Sequence, residues 1–165
     1  MTKVDLATIH HEGAGAPSDV ARGADGGYCV WIGAHHFTLL RRPSEGWATL
    51  GFNHRDYTIC FSGNRMVHEV TDADLVLVRQ ATDAARVAWP TEMPDTFGTV
   101  RDHKDTPSKG TATVCPGIHA TARHDAITRA INGTANAIPA PVPDWAAIGA
   151  VVELMQQQHI LWEAA

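Results

Sequence analysis

The segment VDLATIHH, residues 4–11, is a short apolar-rich run that ends on two consecutive histidines. Its length and composition predict a buried β-strand over Val4–Ile9. The next residues, Glu12–Gly27, are rich in glycine, alanine, serine and aspartate, which is typical of a loop. His10 therefore lies at the carboxyl end of a predicted strand, where the sheets of α/β proteins gather their ligand-binding groups.

Further strands follow and then alternate with helices. β-Branched and aromatic residues predict strands at Tyr28–Ile32, His36–Leu40, Tyr57–Ser62 and Thr99–His103. One helix begins at Thr71, where Asp74 completes a start that resembles a capping box, and it ends before Pro90. Another follows the segment CPG at 115–117 and is predicted over Ile118–Ile131.

Strands interleaved with helices indicate an α/β domain over residues 1–133, with a mixed central β-sheet flanked by helices. Residues 134–143 hold three prolines and several alanines, which predicts a stiff linker. Residues 144–165 are predicted to form an amphipathic C-terminal helix, because apolar residues recur at helical spacing from Ile148 to Trp162. We expect that helix to pack on the domain or on a second copy of the chain, and the sequence leaves the oligomeric state open.

Composition excludes several classes of protein. The 165 residues suffice for one domain with its own core, and 44% of them are hydrophobic. The net charge is −5 and no basic run occurs, so neither nucleic acid nor an anionic membrane is an expected partner. No apolar run approaches the roughly 20 residues that span a bilayer, and the first residues lack the apolar stretch of a secretory signal. We therefore expect a soluble protein in the cytoplasm of the producing cell.

The metal-ligating residue types are plentiful but scattered. Cys29, Cys60 and Cys115 are far apart without a CxxC pair, which predicts free thiols in a reducing compartment. Ten histidines is a high count for this length, and imidazole and thiolate are both good zinc ligands. His10, His103 and Cys115 each begin or end a predicted element. From the residues alone, a structural role explains any one of them at least as well as a ligand role.

Six short segments form an ordered series: IHHEGAG (9–15), YCVWI (28–32), WATLG (47–51), YTICFSGN (57–64), TDADL (71–75), and HKD (103–105) with CPG (115–117). They resemble IHHTAG, YHFLI, WNTVG, SIGICLIGN, PTDAQL and HRD…CPG, which occur in the same order in the type 2 N-acetylmuramoyl-L-alanine amidases. That family includes the peptidoglycan recognition proteins and phage amidases. Each match is short, but together they cover about Val4–Ile131, which makes the resemblance specific.

The resemblance implies the fold, the zinc ion and the activity of that family. By position, the zinc ligands would be His10, His103 and Cys115, and Tyr28 and Thr113 would assist catalysis. The implied reaction is hydrolysis of the amide between N-acetylmuramic acid and L-alanine in bacterial peptidoglycan. Tyr28 and Thr113 would donate hydrogen bonds to the oxyanion or position the attacking water. Small size and the lack of a signal further indicate a phage endolysin, a bacteriolytic enzyme that reaches the cell wall with the help of a holin. A bacterial autolysin or toxin exported by another route is the alternative.

The chain departs from the family pattern at several positions. His103 and Cys115 are separated by 115 − 103 = 12 positions, which is longer than usual and indicates an inserted loop. Glu12 replaces a small hydroxyl residue, and a further family histidine is either His54 or missing. Thr113 stands where other members have lysine or threonine. The lack of lysine leaves the proton donor or base open, with Lys109 and Glu12 as additional candidates.

Two other functions fit parts of the sequence. Cys115 precedes Pro-Gly at the start of a predicted helix, a position that would lower a thiol pKa, so a Cys–His peptidoglycan hydrolase is one alternative. The second is a non-catalytic peptidoglycan-binding protein, which is the behaviour expected of this family when the cysteine ligand is lost. The presence of both Cys115 and Tyr28 favours an enzyme.

Overall fold

The computed structural model describes residues 3–13, 26–49, 51–106 and 113–133. These residues form five strands: β1 (Leu6–His11), β2 (Val30–Ile32), β3 (Phe37–Leu39), β4 (Asp56–Phe61) and β5 (Thr99–Asp102). Three helices accompany them: α1 (Asp72–Ala88), α2 (Ile118–Ala122) and α3 (His124–Asn132). Single turns of 3₁₀ helix occur at Pro43–Glu45 and His103–Asp105.

The five strands form one mixed sheet in the order β3-β2-β4-β1-β5. Strand β1 lies between β4 and β5 and is parallel to both, β2 is parallel to β4, and the edge strand β3 is antiparallel to β2. The predicted α/β architecture is thereby confirmed. Because β1, β4 and β5 run in the same direction, their carboxyl ends meet at one edge of the sheet. His10 is there, in register with Cys60, and His103 follows β5 directly.

Central strand β1 is buried on both faces, which accounts for its apolar sequence. Alternate side chains of a strand point to opposite faces. Ala7 and Ile9 belong to the apolar core together with residues of β2, β4, α1 and α3. Thr8 and His10 are equally buried but point to the other face. Polar side chains on that face therefore require hydrogen-bond partners inside the protein.

Helix α1 begins as the sequence predicts. Thr71 Oγ1 accepts a hydrogen bond from the backbone N–H of Asp74 at 3.2 Å, and the Asp74 carboxylate accepts one from the backbone N–H of Thr71 at 2.8 Å. The helix ends at Ala88, just ahead of Pro90. Its buried side, which includes Leu75 and Val78, packs against the apolar face of the sheet.

The helix predicted over Ile118–Ile131 is in fact two helices, so that prediction is wrong. Arg123, with φ −103° and ψ 12°, interrupts the chain between α2 and α3. The buried carboxylate of Asp102 contacts both helices, since it accepts a hydrogen bond from Thr121 Oγ1 at 2.7 Å and pairs with His124 Nδ1 at 3.0 Å. Residues on both sides of the break thus bind one side chain at the end of β5.

Other boundaries differ from the prediction by a few residues. Strand β1 continues past Ile9 to include both histidines, and β5 ends one residue before His103. The linker predicted at 134–143 and the helix predicted at 144–165 lie outside the described residues. Within the ranges that the structure describes, no helix has the length and apolar character needed to cross a bilayer.

Candidate metal centre

Three side chains that the residues alone could not group lie together at the carboxyl edge of the sheet. The ligand atoms of His10, His103 and Cys115 are all within 4.8 Å of one another. His10 Nδ1 is 3.7 Å from Cys115 Sγ, and the ring centroids of His10 and His103 are 4.3 Å apart. His10 and Cys115 are buried, whereas His103 is partly exposed. These three residues form the candidate metal-binding group, which can hold a metal ion. The partial exposure of His103 leaves this site accessible from solvent.

Strand alternation decides which histidine of the consecutive pair joins this group. His10 and His11 point to opposite faces of β1. His11 Nδ1 accepts a hydrogen bond from the backbone N–H of Arg65 at 3.0 Å, so that nitrogen is already occupied. The backbone N–H of His11 points instead at Cys115 Sγ, 3.4 Å away. His11 therefore donates a backbone hydrogen bond to the Cys115 sulfur, and the imidazole that joins the cluster belongs to His10.

His103 and Cys115 belong to two loops that are tied together by the backbone. His103 opens the 3₁₀ turn after β5, and the backbone N–H of Lys104 donates to the Cys115 carbonyl at 2.7 Å. Thr113 Oγ1 accepts a hydrogen bond from the backbone N–H of Cys115 at 3.1 Å. These links hold the two side chains near each other even though 12 positions separate them in the sequence.

The residues after Cys115 pack closely on the chain that follows β4. Gly117 is the N-cap of α2 and has φ +90°. A Cβ atom at this position would lie 2.5 Å from the carbonyl carbon of Arg65 and 2.8 Å from the backbone nitrogen of Met66. Only glycine fits both the positive φ and this close approach. The glycine of the CPG segment therefore allows Cys115 to reach the metal-binding group.

Burial sets the protonation of the three candidate ligands. It holds the pKa of His10 well below its ordinary value, and His103, His11 and Arg101 act in the same direction. Burial and then Arg101 also lower the pKa of His103. Both imidazoles are therefore neutral at pH 7, as metal ligands must be. Burial raises the pKa of the Cys115 thiol to about 12, although the backbone N–H of His11 opposes this shift.

The raised thiol pKa corrects one expectation from the sequence. A position before a helix was predicted to lower the pKa of Cys115, and the structure contradicts that prediction. Helix α2 begins at Ile118, three residues after Cys115, and has only five residues, so its dipole is small. Burial of the thiol therefore outweighs the effect of the helix dipole on the pKa of Cys115.

Tyr28 lies next to the metal-binding group. Its ring centroid is 5.0 Å from that of His10, with the rings tilted by 58°. Burial raises the pKa of its hydroxyl above the ordinary value, and the neighbouring Cys60 and Cys115 thiols add to the shift. The hydroxyl is therefore protonated at neutral pH and able to donate a hydrogen bond.

Two other sequence candidates have structural partners. Glu12 Oε1 accepts a hydrogen bond from Trp31 Nε1 at 2.8 Å, and Oε2 accepts one from the backbone N–H of Gly63 at 2.7 Å. His54 Nδ1 donates to the carbonyl of Ser44 at 2.8 Å. In the part of the chain that the structure describes, neither residue belongs to the metal-binding group.

Sequence reasoning missed the residues behind His10. Thr49 Oγ1 is 3.1 Å from His10 Nε2, and the buried carboxyl of Asp56 lies beyond it. Both residues are at most 2% exposed. Neither occurs in a spacing that marks a ligand set, because a loop and a separate strand bring them to β1 only in the folded chain. The similarity of WATLG to a family segment was the only signal, and it did not indicate a role for Thr49.

Comparison with known proteins addresses the fold. No protein-family model matches the sequence, and no curated protein matches it significantly. Solved structures do match. Peptidoglycan recognition protein SD of Drosophila aligns with a TM-score of 0.56 and 20% identity over 74% of this chain and 81% of that chain. This chain has the peptidoglycan recognition protein fold.

An amidase and an endolysin of the same fold also match. The N-acetylmuramoyl-L-alanine amidase LysC from Clostridium intestinale URNW has a TM-score of 0.51 and 19% identity, over 72% of this chain and 79% of that chain. The Ph2119 endolysin from a Thermus scotoductus bacteriophage has a TM-score of 0.50 and 17% identity, over 78% and 86%. At these identities the likeness concerns the fold, which agrees with the resemblance in the sequence.

Proposed function

We propose that this protein is a zinc-dependent N-acetylmuramoyl-L-alanine amidase. The observation that carries the proposal is the cluster of His10, His103 and Cys115 at the carboxyl edge of the sheet. The fold is shared with an N-acetylmuramoyl-L-alanine amidase, a bacteriophage endolysin and a peptidoglycan recognition protein, which favours peptidoglycan as the substrate. On this proposal, residues 1–133 carry the activity.

The three side chains fit a catalytic zinc ion. Two imidazoles and one thiolate leave the fourth tetrahedral position open, as in catalytic rather than structural zinc sites. With Zn–N and Zn–S distances of about 2.0 and 2.3 Å, tetrahedral angles separate nitrogen from sulfur by about 3.5 Å. The 3.7 Å between His10 Nδ1 and Cys115 Sγ is close to this value. When bound, zinc supplies a Lewis acid that activates water and polarises the amide carbonyl.

Tyr28 and Thr113 are proposed to act on the substrate. The protonated hydroxyl of Tyr28 donates a hydrogen bond to the oxygen on which negative charge develops during attack on the carbonyl. Thr113 Oγ1 uses a lone pair to accept from the Cys115 backbone, so its proton is available to position the attacking water. Both residues raise the rate without holding the metal.

The two alternatives make different use of the same residues. A Cys–His hydrolase needs a thiolate at Cys115, and a thiol pKa of about 12 in the metal-free protein disfavours it. A non-catalytic peptidoglycan-binding protein has no need of the Cys115 sulfur beside the two histidines. The site therefore favours a metal hydrolase over either alternative. We further propose a phage endolysin, made in the cytoplasm and released to the cell wall with a holin.

Analysis of digested peptidoglycan tests this proposal. We expect the full-length protein to release stem peptides that begin with a free L-alanine amine, detected by mass spectrometry. A chelator should abolish release, and added zinc should restore it, because the ligands hold the metal reversibly. Cut sugar chains or cut cross-links would contradict the amidase assignment. Binding to the wall without release would favour the binding protein, and release that persists in chelator would favour a Cys–His hydrolase.

A further inference from the structure

His103 lies just beyond the end of β5, so the hydrogen bonds of the sheet do not hold it. The last pair in the ladder between β1 and β5 joins Ile9 to Asp102. Beyond that pair, the backbone N–H of Lys104 donates to the Cys115 carbonyl at 2.7 Å. Among the described residues, this is the backbone hydrogen bond that joins the two ligand segments, and side-chain contacts have to supply the rest.

The length of the loop between His103 and Cys115 does not fix their separation. They are 12 positions apart, and an extended chain of that length reaches roughly 40 Å, at about 3.3 Å per residue. Their ligand atoms nevertheless lie within 4.8 Å of each other. The short distance is therefore set by contacts of the folded chain.

The carboxylate of Asp102 supplies several such contacts. The residue is 2% exposed. Its Oδ2 accepts a hydrogen bond from Thr121 Oγ1 in α2 at 2.7 Å, and its Oδ1 pairs with His124 Nδ1 in α3 at 3.0 Å. Lys104 Nζ lies 3.3 Å from Oδ2. An ionised carboxylate only accepts hydrogen bonds, so the hydroxyl, the imidazole and the ammonium group all donate to it.

These contacts join both ligand segments to one buried side chain. Asp102 is the residue before His103, and α2 begins three residues after Cys115. Asp102 is also in register with Ile9, which faces the apolar core. His103 instead meets His10 on the other face of β1, with their ring centroids 4.3 Å apart. Asp102 therefore binds the helices behind the sheet while its neighbour faces the metal-binding group.

We propose that Asp102 is a positioning residue, which ties the turn at His103 to α2 and α3 and so holds the His103 imidazole within reach of a metal bound by His10 and Cys115. This inference rests on the proposed metal centre for its purpose, although the place of His103 beside His10 is a property of the metal-free protein. Asp102 acts through the backbone of its neighbour and is not a fourth ligand. Loss of a residue that orients a metal ligand typically lowers metal affinity about 10- to 100-fold.

Three variants test this role. Asp102→Ala removes the carboxylate, so zinc affinity should fall about 10- to 100-fold. Asp102→Asn keeps an oxygen for Thr121 and can donate its amide N–H to Nδ1 of a neutral His124, so its zinc affinity should stay close to wild type. Thr121→Val removes one donor and keeps the carboxylate, and its affinity should lie between those of Asp102→Ala and wild type. It also keeps the test available if Asp102→Ala does not fold.

A matched control for Thr121→Val is available in α1. Thr82 is completely buried, and its hydroxyl donates to the carbonyl of Val78 at 2.9 Å. Thr82→Val makes the same substitution away from the metal-binding group. This variant is expected to lose stability but to keep wild-type zinc affinity, so a general effect of loosened packing would be recognised.

The measurement has two arms on the full-length protein. Competition with a chromophoric chelator gives the zinc affinity, and the nuclear Overhauser effect between the rings of His10 and His103 reports their proximity in metal-free protein. We expect this ring contact in wild type, Asp102→Asn and Thr82→Val, and a weaker one in Asp102→Ala and Thr121→Val.

Two results would overturn the inference. They are wild-type zinc affinity, or an undiminished contact between the rings of His10 and His103, in Asp102→Ala or, if that variant does not fold, in Thr121→Val. If wild type bound no zinc but the ring contact weakened in these variants, the proposed function would fail while the positioning of His103 would stand.

Discussion

Tyr28 contributes a hydroxyl beside the metal-binding group rather than another ligand. Its ring lies against His10, with the centroids 5.0 Å apart. We expect Tyr28→Phe to keep this packing and the zinc content while kcat falls about 10²- to 10³-fold, the usual cost of one lost oxyanion donor. Tyr57→Phe is the control, because Tyr57 is buried in the apolar core and its hydroxyl is 3.4 Å from Thr82. An unchanged kcat in Tyr28→Phe would exclude the role proposed for this hydroxyl.

Asp56 makes stability depend on pH in a direction that can be calculated. Burial raises its pKa from 3.8 to about 6 in the folded protein. Between about pH 4 and 6 the unfolded chain has lost this proton while the folded chain retains it, so the free energy of unfolding falls as pH rises. The total effect is at most about 3 kcal/mol, and it is nearly complete at about pH 7, one unit above the folded pKa, where both states are largely ionised.

Comparison with Asp56→Asn isolates that effect from other titrating groups. Denaturant unfolding of the metal-free proteins should show the wild type losing stability relative to the variant from about pH 4 to about pH 7, with a constant difference above. If the stability of the wild type relative to Asp56→Asn rose over this interval, or did not change, the assignment of a raised pKa to Asp56 would be contradicted.

For the candidate ligands, local sequence patterns predicted the position of single residues but not which of them meet. His10 and His103 were placed at strand ends by local pattern, and the structure confirms both positions within a residue. Their grouping with Cys115 came from family resemblance, because spacing does not encode which loops meet. Thr49 and Asp56 were not identified from the sequence, since the contact of Thr49 with His10 and that of Asp56 with Thr8 depend on the packing of β4 and a loop beside β1.

The CPG segment depends on its glycine. Gly117→Ala would impose a positive φ on an ordinary residue and place a Cβ 2.5 Å from the Arg65 carbonyl carbon. Gly51 has a similar φ of +84° but no atom within 4 Å of the same added carbon, so Gly51→Ala is a matched control. We expect about 1 kcal/mol of destabilisation from backbone strain in Gly51→Ala, and about 3 kcal/mol or more in Gly117→Ala, where the clash adds.

Denaturant midpoints of the two variants measure this difference. Gly117→Ala should also weaken zinc binding, because the displaced segment carries Cys115. Equal stability of the two alanine variants would show that α2 can move away from Arg65 without cost, and that the close packing of the CPG segment is not required.

Local and distant interactions explain which elements were predictable. The start of α1 was predicted correctly because its capping box joins Thr71 to Asp74, within one turn. The break at Arg123 was not predicted, and the residues on its two sides bind Asp102 at the end of β5, which is distant in the sequence. A helical pattern read along the chain contains no information about a carboxylate that approaches from another strand.

A bound metal would connect three separate parts of the molecule. His10 comes from the central strand, His103 from the turn after β5, and Cys115 from the loop before α2. A ligand that binds only the folded state at 100 times its Kd stabilises that state by about 2.7 kcal/mol. We expect a rise of several degrees in the Tm of the metal-free protein at this zinc concentration, measured by thermal unfolding. Cys115→Ser should show a much smaller rise, and an equal rise in both proteins would mean that zinc binds elsewhere.

The central claim is that His10, His103 and Cys115 hold one catalytic zinc ion. The most direct test is elemental analysis of the purified full-length protein after dialysis against metal-free buffer, with Cys115→Ala analysed in parallel. The account predicts about one zinc per wild-type chain and a large loss of zinc in Cys115→Ala. Absence of metal from the wild type after zinc has been supplied, or equal zinc in both proteins, would contradict it.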